Sequence, residues 1–230
     1  MANPSYINAA FRSSRKFEAY FFMKDMYVRL YYIPGTSRDD KILTDLSLIS
    51  TNFPSLVGTP FGRPGIDCSF DTEESEAYIF SNKYCAYIDY APGTTNDKIL
   101  CGPFTIAEMF PVLKNTVFEN GIDSAFRSTR GKEVYLFKGN KYVRIAYDTK
   151  QLVGSIRNIG DGFTVLKGTI FESGIDACFA THVENVAYLF KGDMYVRIKF
   201  TPGSSEDTLL GGISPILDGW PVLRGILPVS

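Results

Sequence analysis

The chain has 230 residues with 24 Lys+Arg against 25 Asp+Glu, a formal net charge of −1, so no strong overall field draws it to nucleic acid. Hydrophobic residues make up 45% and charged residues 21%, and no segment approaches the ~20 consecutive apolar residues of a membrane helix, which excludes a disordered chain and a helical membrane span. Aromatics at 14%, with 20 Gly and 12 Pro, favour many short strands and tight turns over a helix bundle.

The N-terminal stretch MANPSYINAAF has neither a basic start nor a long apolar run, so no secretory signal is read there and a cytosolic protein is expected. Its Asn3-Pro4-Ser5 triplet carries a proline that disqualifies it as a glycosylation acceptor. Cys68, Cys85, Cys101 and Cys178 show no C-x-x-C spacing, so free and mostly buried thiols are expected rather than a zinc ribbon or a disulfide framework.

Along the chain one unit recurs four times. It opens with INAAF (Ile7 to Phe11), then IDCSF from Ile66, IDSAF from Ile122 and IDACF from Ile175, at spacings of 53 to 59 residues. A second anchor follows in each copy as two short runs: AYFF then YVRL, AYIF then CAYI, VYLF then YVRI, and AYLF then YVRI. A third closes each unit, at Phe53-Pro-Ser-Leu, Phe110-Pro-Val-Leu, Phe163-Thr-Val-Leu and Trp220-Pro-Val-Leu. Between the last two anchors, copies one, two and four carry PGTSRDDKIL, PGTTNDKIL and PGSSEDTLL, whereas copy three has YDTKQLVGS without the Pro-Gly.

Within a unit the pattern is β. In copy three, IDSAF is a short apolar strand and VYLFKGNKYVRIAY reads as strand, tight Gly139-Asn140 turn and strand. Alternation in Tyr-Val-Arg-Ile puts Tyr and Arg on one face and Val and Ile on the other. The segment before each third anchor suits a short outer helix. Small sheets of three to four strands cannot bury both faces alone, and radial stacking solves this while leaving only short edges. The expected fold is therefore all-β: a four-bladed β-propeller occupying residues 1–230 as one domain, with blades at about 6–61, 62–118, 119–171 and 172–230.

These strings, I-D-[AS]-[AC]-F, Tyr-X-Phe-Lys-Gly-[ND]-X-Tyr-X-Arg and [FW]-P-X-L, resemble the hemopexin repeat over essentially the whole chain, from Tyr6 to Pro228. Four such repeats with PGT-type loops in three of them are similar to the albumin-2 family of legume seeds. That resemblance implies a cytosolic seed protein with a metal ion in a central channel and affinity for the polyamine spermine and for haem, and the expected reading couples this binding to dimerisation. Copy two departs from the pattern, with Cys85-Ala86-Tyr87 where the others have Tyr-Val-Arg, so any role for that Arg is not fourfold.

Asn8, Asp67, Asp123 and Asp176 open the four inner strands, and pseudo-fourfold symmetry sets equivalent backbone groups around one axis. A ring of carbonyl oxygens there suits a hard cation, Ca²⁺ or Na⁺, and N–H groups one step along suit chloride; the resemblance implies the same positions. The bland alternative is that these residues only cap turns and the channel holds water. His182, the sole histidine, is a haem-ligand candidate but reads as a polar hairpin tip on the surface. Tips of opposite charge also stand out. Arg12, Arg15, Lys16, Arg127, Arg130 and Lys132 oppose Asp71, Glu73, Glu74 and Glu76, which with Tyr78 and Tyr84 could take a polyamine, attract one another, or mediate a homodimer. Arg29, Arg144 and Arg197 are expected to serve cross-strand packing and inter-blade salt bridges.

No G-x-S-x-G, H-E-x-x-H, G-x-x-x-x-G-K or G-x-G-x-x-G occurs, and a single His makes a nucleophile pair hard to build, so the reading is a non-enzymatic binding protein. Its alternative is a seed reserve protein with incidental ligands.

Overall fold

The computed structural model describes residues 6–229; the Asn3-Pro4-Ser5 triplet lies outside them. Blade one is a meander of β1 (Ala9–Arg12), β2 (Glu18–Met23), β3 (Met26–Ile33) and β4 (Thr36–Leu48), paired in that order. Blade two repeats it with β5 (Cys68–Asp71), β6 (Glu76–Ser81), β7 (Tyr84–Asp89) and β8 (Lys98–Thr105). In blade three, β9 (Ser124–Arg127), β10 (Glu133–Lys138) and β11 (Lys141–Ala146) keep the plan, but the outer strand is broken into β12 (Gln151–Leu152) and β13 (Arg157–Asn158). Blade four does the same, with β14 (Ala177–Ala180), β15 (Val186–Lys191), β16 (Met194–Lys199), β17 (Thr208–Leu209) and β18 (Ser214–Pro215).

The inner strands β1, β5, β9 and β14 each neighbour two others and surround the axis, as expected for a propeller. Each blade then ends in a one-turn helix, α1 (Ile49–Asn52), α2 (Ile106–Met109), α3 (Ile159–Gly162) and α4 (Ile216–Gly219), followed by a 3₁₀ turn through the third anchor. The tight turn after β2, β6, β10 and β15 has positive φ at Lys24, Asn82, Gly139 and Gly192, which is why glycine appears there in two copies.

Four apolar cores lie between blades rather than within them. Phe53, Leu56 and Phe61 of blade one pack with Ile79 and Ile88 of blade two, and Phe110 and Leu113 pack with Leu136 and Val143 of blade three. Phe163 and Leu166 join Leu189 and Val196 of blade four, while Trp220, Leu223 and Leu227 close the circle against Phe21 and Leu30 of blade one. The third anchor is thus the wedge that each blade drives into the next, which explains why a large aromatic recurs there. Stacked rings such as Phe11–Tyr20, Phe70–Tyr78 and Phe126–Tyr135, with centroids 4.9 to 5.0 Å apart, absorb many of the Phe and Tyr residues that dominate the aromatic composition. All four cysteines are free, with Cys101 exposed and the other three buried.

Candidate functional site at the channel mouth

Asn8, Asp67, Asp123 and Asp176 converge on one cavity of about 280 Å³, joined by Asn82, Asn120 and Lys138. The four side chains bond their neighbouring hairpins in the same way. Asn8 Oδ1 accepts the Lys24 N–H at 2.7 Å, Asp67 Oδ2 that of Asn82 at 2.6 Å, and Asp123 and Asp176 those of Gly139 and Gly192 at 2.7 Å. The donors are the positive-φ turn residues, so one oxygen of every ring side chain caps the adjacent hairpin.

Their backbones are also alike. The N–H groups of Asn8, Asp67, Asp123 and Asp176 donate to Phe22, Phe80, Phe137 and Phe190 at 2.8 to 2.9 Å. The ladder already pairs Ala9 with Phe22, Cys68 with Phe80, Ser124 with Phe137 and Ala177 with Phe190, so two consecutive residues face one phenylalanine as in a β-bulge.

Charge at the mouth is not purely acidic. Lys138 Nζ lies 2.6 Å from Asp123 Oδ1, and Lys191, bonded to Ser173 Oγ at 2.7 Å, stands in electrostatic reach of Asp176 and Asp123. Burial pushes the Lys191 ammonium below its usual pKa. In the sequence these lysines show only as the Phe-Lys-Gly recurring in copies three and four. Among the described residues no group of three or more His, Cys, Asp or Glu side chains converges tightly enough to hold a metal alone. A carboxylate cage is therefore not the arrangement; the donors on offer are hard oxygens from backbone, amide and carboxylate. Beside the mouth, between blades one and two, a wider cleft of about 930 Å³ is lined by Asp25, Leu48, Arg63, Lys83 and Tyr84, and shares Asn82 and Asn120 with it.

At the opposite ends of the inner strands, side chains tie the blades together. Arg12 Nε meets Asp71 Oδ2 at 2.9 Å while its Nη1 donates to the Thr181 carbonyl at 2.6 Å, tying blade one to blades two and four. Arg127 reaches from blade three to Asp71 at 3.9 Å, Glu73 at 2.6 Å and the Thr72 carbonyl at 2.7 Å. Arg12, Arg127 and Lys132 thus pair with Asp71 and Glu73 inside one chain, while among the described residues no salt bridge engages Arg15, Lys16, Arg130 or Glu74. Nor does the blade-two tip assemble a polyamine site: Asp71 and Glu73 are paired, Glu76 accepts from Tyr87, Tyr78 is buried, and Tyr84 lies at the other end of the sheet.

His182 is half-buried at the seam between blades four and one, correcting its reading as a surface tip. Nδ1 accepts from the Phe17 N–H at 3.2 Å and lies 3.3 Å from Tyr32 Oη, so the neutral ring carries its proton on Nε2, which donates to the Ser13 carbonyl at 2.9 Å. Both nitrogens are engaged, and burial lowers the pKa below the usual imidazole value. Neither is open to a haem iron without breaking the seam.

Arg29 and Arg144 pair within their own blades, with Glu18 at 3.4 Å and Glu133 at 3.1 Å, so the expected inter-blade salt bridges are not formed. The contact between blades is instead the Pro-Gly loop laid over the Arg of the preceding blade: a Cβ at Gly35 would collide with Arg197, one at Gly93 with Arg29, and one at Gly203 would crowd Arg130 and Arg144. The same glycine N–H groups donate to Tyr188, Tyr20 and Tyr135 at 3.0, 3.3 and 3.4 Å.

Four antiparallel meanders around a channel headed by Asn8, Asp67, Asp123 and Asp176 define a four-bladed propeller of hemopexin type, and the hemopexin family model matches residues 122–166. Among curated proteins, albumin-2 of Pisum sativum is 55% identical over 231 residues, covering 100% of both chains. The chain belongs to the albumin-2 family of legume seed proteins. Among solved structures it resembles a hemopexin fold protein from cow pea (TM-score 0.96, 76% identity, 98% of this chain and 100% of that one). It also resembles a plant lectin with two metal binding sites from Cicer arietinum (TM-score 0.95, 60% identity, 98% and 100% covered).

Proposed function

We propose that this seed albumin is a non-enzymatic binding protein that holds a hard cation, Ca²⁺ or Na⁺, at the channel mouth. The observation that carries the reading is the convergence of Asn8, Asp67, Asp123 and Asp176, one from each blade, on a single cavity. In this reading the carbonyls of the four bulged residues turn to the axis as ligands, and the Asp67 and Asp176 carboxylate oxygens not engaged by the turns add negative charge behind them. Water completes the coordination, and chloride one step along the channel would balance the charge. The Cicer arietinum lectin with two metal binding sites supports a metal in this fold.

Spermine shares the chemistry of that cation, since its ammonium groups also seek carboxylates, and the adjoining 930 Å³ cleft has room for an organic chain. Haem would bind without His182. Four free thiols, one of them exposed, fit a reducing cytosolic location. Calorimetry on chelator-treated protein tests the reading: Ca²⁺ should bind once per chain and raise the melting midpoint, whereas no heat and no stabilisation with either Ca²⁺ or Na⁺ would refute it.

A further inference from the structure

Three of the four blade interfaces share a cleft on their outer half. Its floor is two tyrosines and the recurring arginine of one blade, and its rim is the glycine loop of the next: Tyr20, Tyr27 and Arg29 under Gly93, and correspondingly around Arg144 and Arg197, with volumes of about 120, 250 and 370 Å³. Repetition alone makes such a cleft a packing feature. What breaks the repetition is Arg157. The partner of the floor tyrosine in the outer strand is Ser47 for Tyr27 and Ser214 for Tyr195, and Phe104 stands opposite Cys85, but Arg157 stands opposite Tyr142.

Blade three's cleft thus holds two guanidinium groups, Arg144 and Arg157, with the hydroxyls of Tyr135, Tyr142, Ser155 and Ser204 around about 250 Å³. No carboxylate lines it, whereas Asp218 lines the cleft of blade four. Glu133 partners Arg144 from one side at 3.1 Å. Arg157 donates only to the Asp161 carbonyl at 2.7 Å, and among the described residues no ion pair neutralises it. Two guanidinium groups with hydroxyl donors, in a space large enough for a phosphate ion or a small phosphomonoester, are the chemistry that takes a tetrahedral dianion.

We infer that the cleft between blades three and four is a binding site for phosphate or a small phosphomonoester, clamped by Arg144 and Arg157. The site is independent of the channel cation and stands or falls separately.

Calorimetric titration with inorganic phosphate and with glycerol 2-phosphate, at ionic strength held constant with NaCl, tests it on the wild-type chain, on Arg157→Ser and on the exposed control Arg38→Ser. Arg157→Ser restores the serine found at that position in blades one and four, so the fold is expected to persist, and its melting midpoint checks this. The expected result is saturable binding in the wild type and Arg38→Ser, weakened at least tenfold in Arg157→Ser, with amide shifts at Gly154, Ser155 and Ser204. Binding of phosphate alone, or of both probes, supports the site and tells free phosphate from a phosphorylated metabolite. No saturable binding of either, unchanged affinity in a folded Arg157→Ser, or shifts confined to the channel mouth would overturn it.

Discussion

The ammonium of Lys150 in blade three sits 4.5 Å from the ring centroid of Tyr78 in blade two, and equally close to that of Phe110. Copy two lacks the recurring Arg, and copy three lacks the Pro-Gly loop that would have covered it; both departures fall at this one interface. Tyr78, whose counterparts Tyr20, Tyr135 and Tyr188 bond a loop glycine, here bonds Lys150 Nζ. One lysine replaces an arginine and a loop together.

Lys150→Ala is expected to cost about 1–2 kcal/mol, the range of a partly desolvated cation–π contact, and to lower the thermal midpoint by about 2–8 °C. Lys150→Met, which keeps the apolar stem, should lose less. Urea denaturation of the two variants checks the order; equal stability of Lys150→Ala and wild type would remove the contact from the account.

The propeller architecture, the four units and the outer helical turns are legible in the sequence because every blade repeats the same apolar wedge, and the free thiols follow from spacing. The Lys150 contact is not, although both irregular strings are visible, since sequence does not say which blade covers which. His182 misleads for a related reason: a polar Thr-His-Val-Glu-Asn string reads as solvent-facing, and only ring closure brings Ser13 and Phe17 against it. Alternation places the recurring Arg on the right blade face but points to the wrong partner, because its carboxylates, Glu18 and Glu133, lie two strand positions from Tyr20 and Tyr135 on the same β2 and β10 faces.

His182 gives the seam an acid sensitivity. Its folded pKa is below the ordinary 6.5, so its contribution is complete above about pH 6.5 and is lost as pH falls through the folded value. His182→Ala should cost about 1 kcal/mol at pH 8 and flatten the acid loss of melting midpoint between pH 7 and 5. Any haem Soret band should be the same in wild type and His182→Ala; its loss in the variant would restore the axial-ligand reading.

Asp207 acts with the opposite sign. Burial raises its pKa from 3.8 to about 6, with one oxygen accepting the Thr201 N–H at 2.9 Å, so its carboxyl favours folding most below about pH 4 and least above pH 6. Asp207→Asn is expected to be more stable than wild type at pH 8 and indistinguishable at pH 4. Melting curves across that range test the sign, and a variant destabilised equally at both pH values would contradict it.

Asp71 joins Arg12 and Arg127 with its side chain only 6% exposed. Asp71→Asn leaves two guanidinium groups facing one another and should cost about 2–3 kcal/mol. Because Asp71 and Glu73 are already paired within the chain, sedimentation of the wild type should show no steep salt dependence of self-association through this face; a dimer that dissociates sharply between low and high salt and is lost in Glu74→Gln would argue otherwise.

The central claim is the cation at the ring of Asn8, Asp67, Asp123 and Asp176. Crystals of the desalted protein soaked in Mn²⁺ as a hard-ion substitute, with anomalous data collected, address it directly. The account predicts one anomalous peak per chain on the channel axis within coordination distance of those four backbones; a channel holding only water at full Mn²⁺ soak would contradict it.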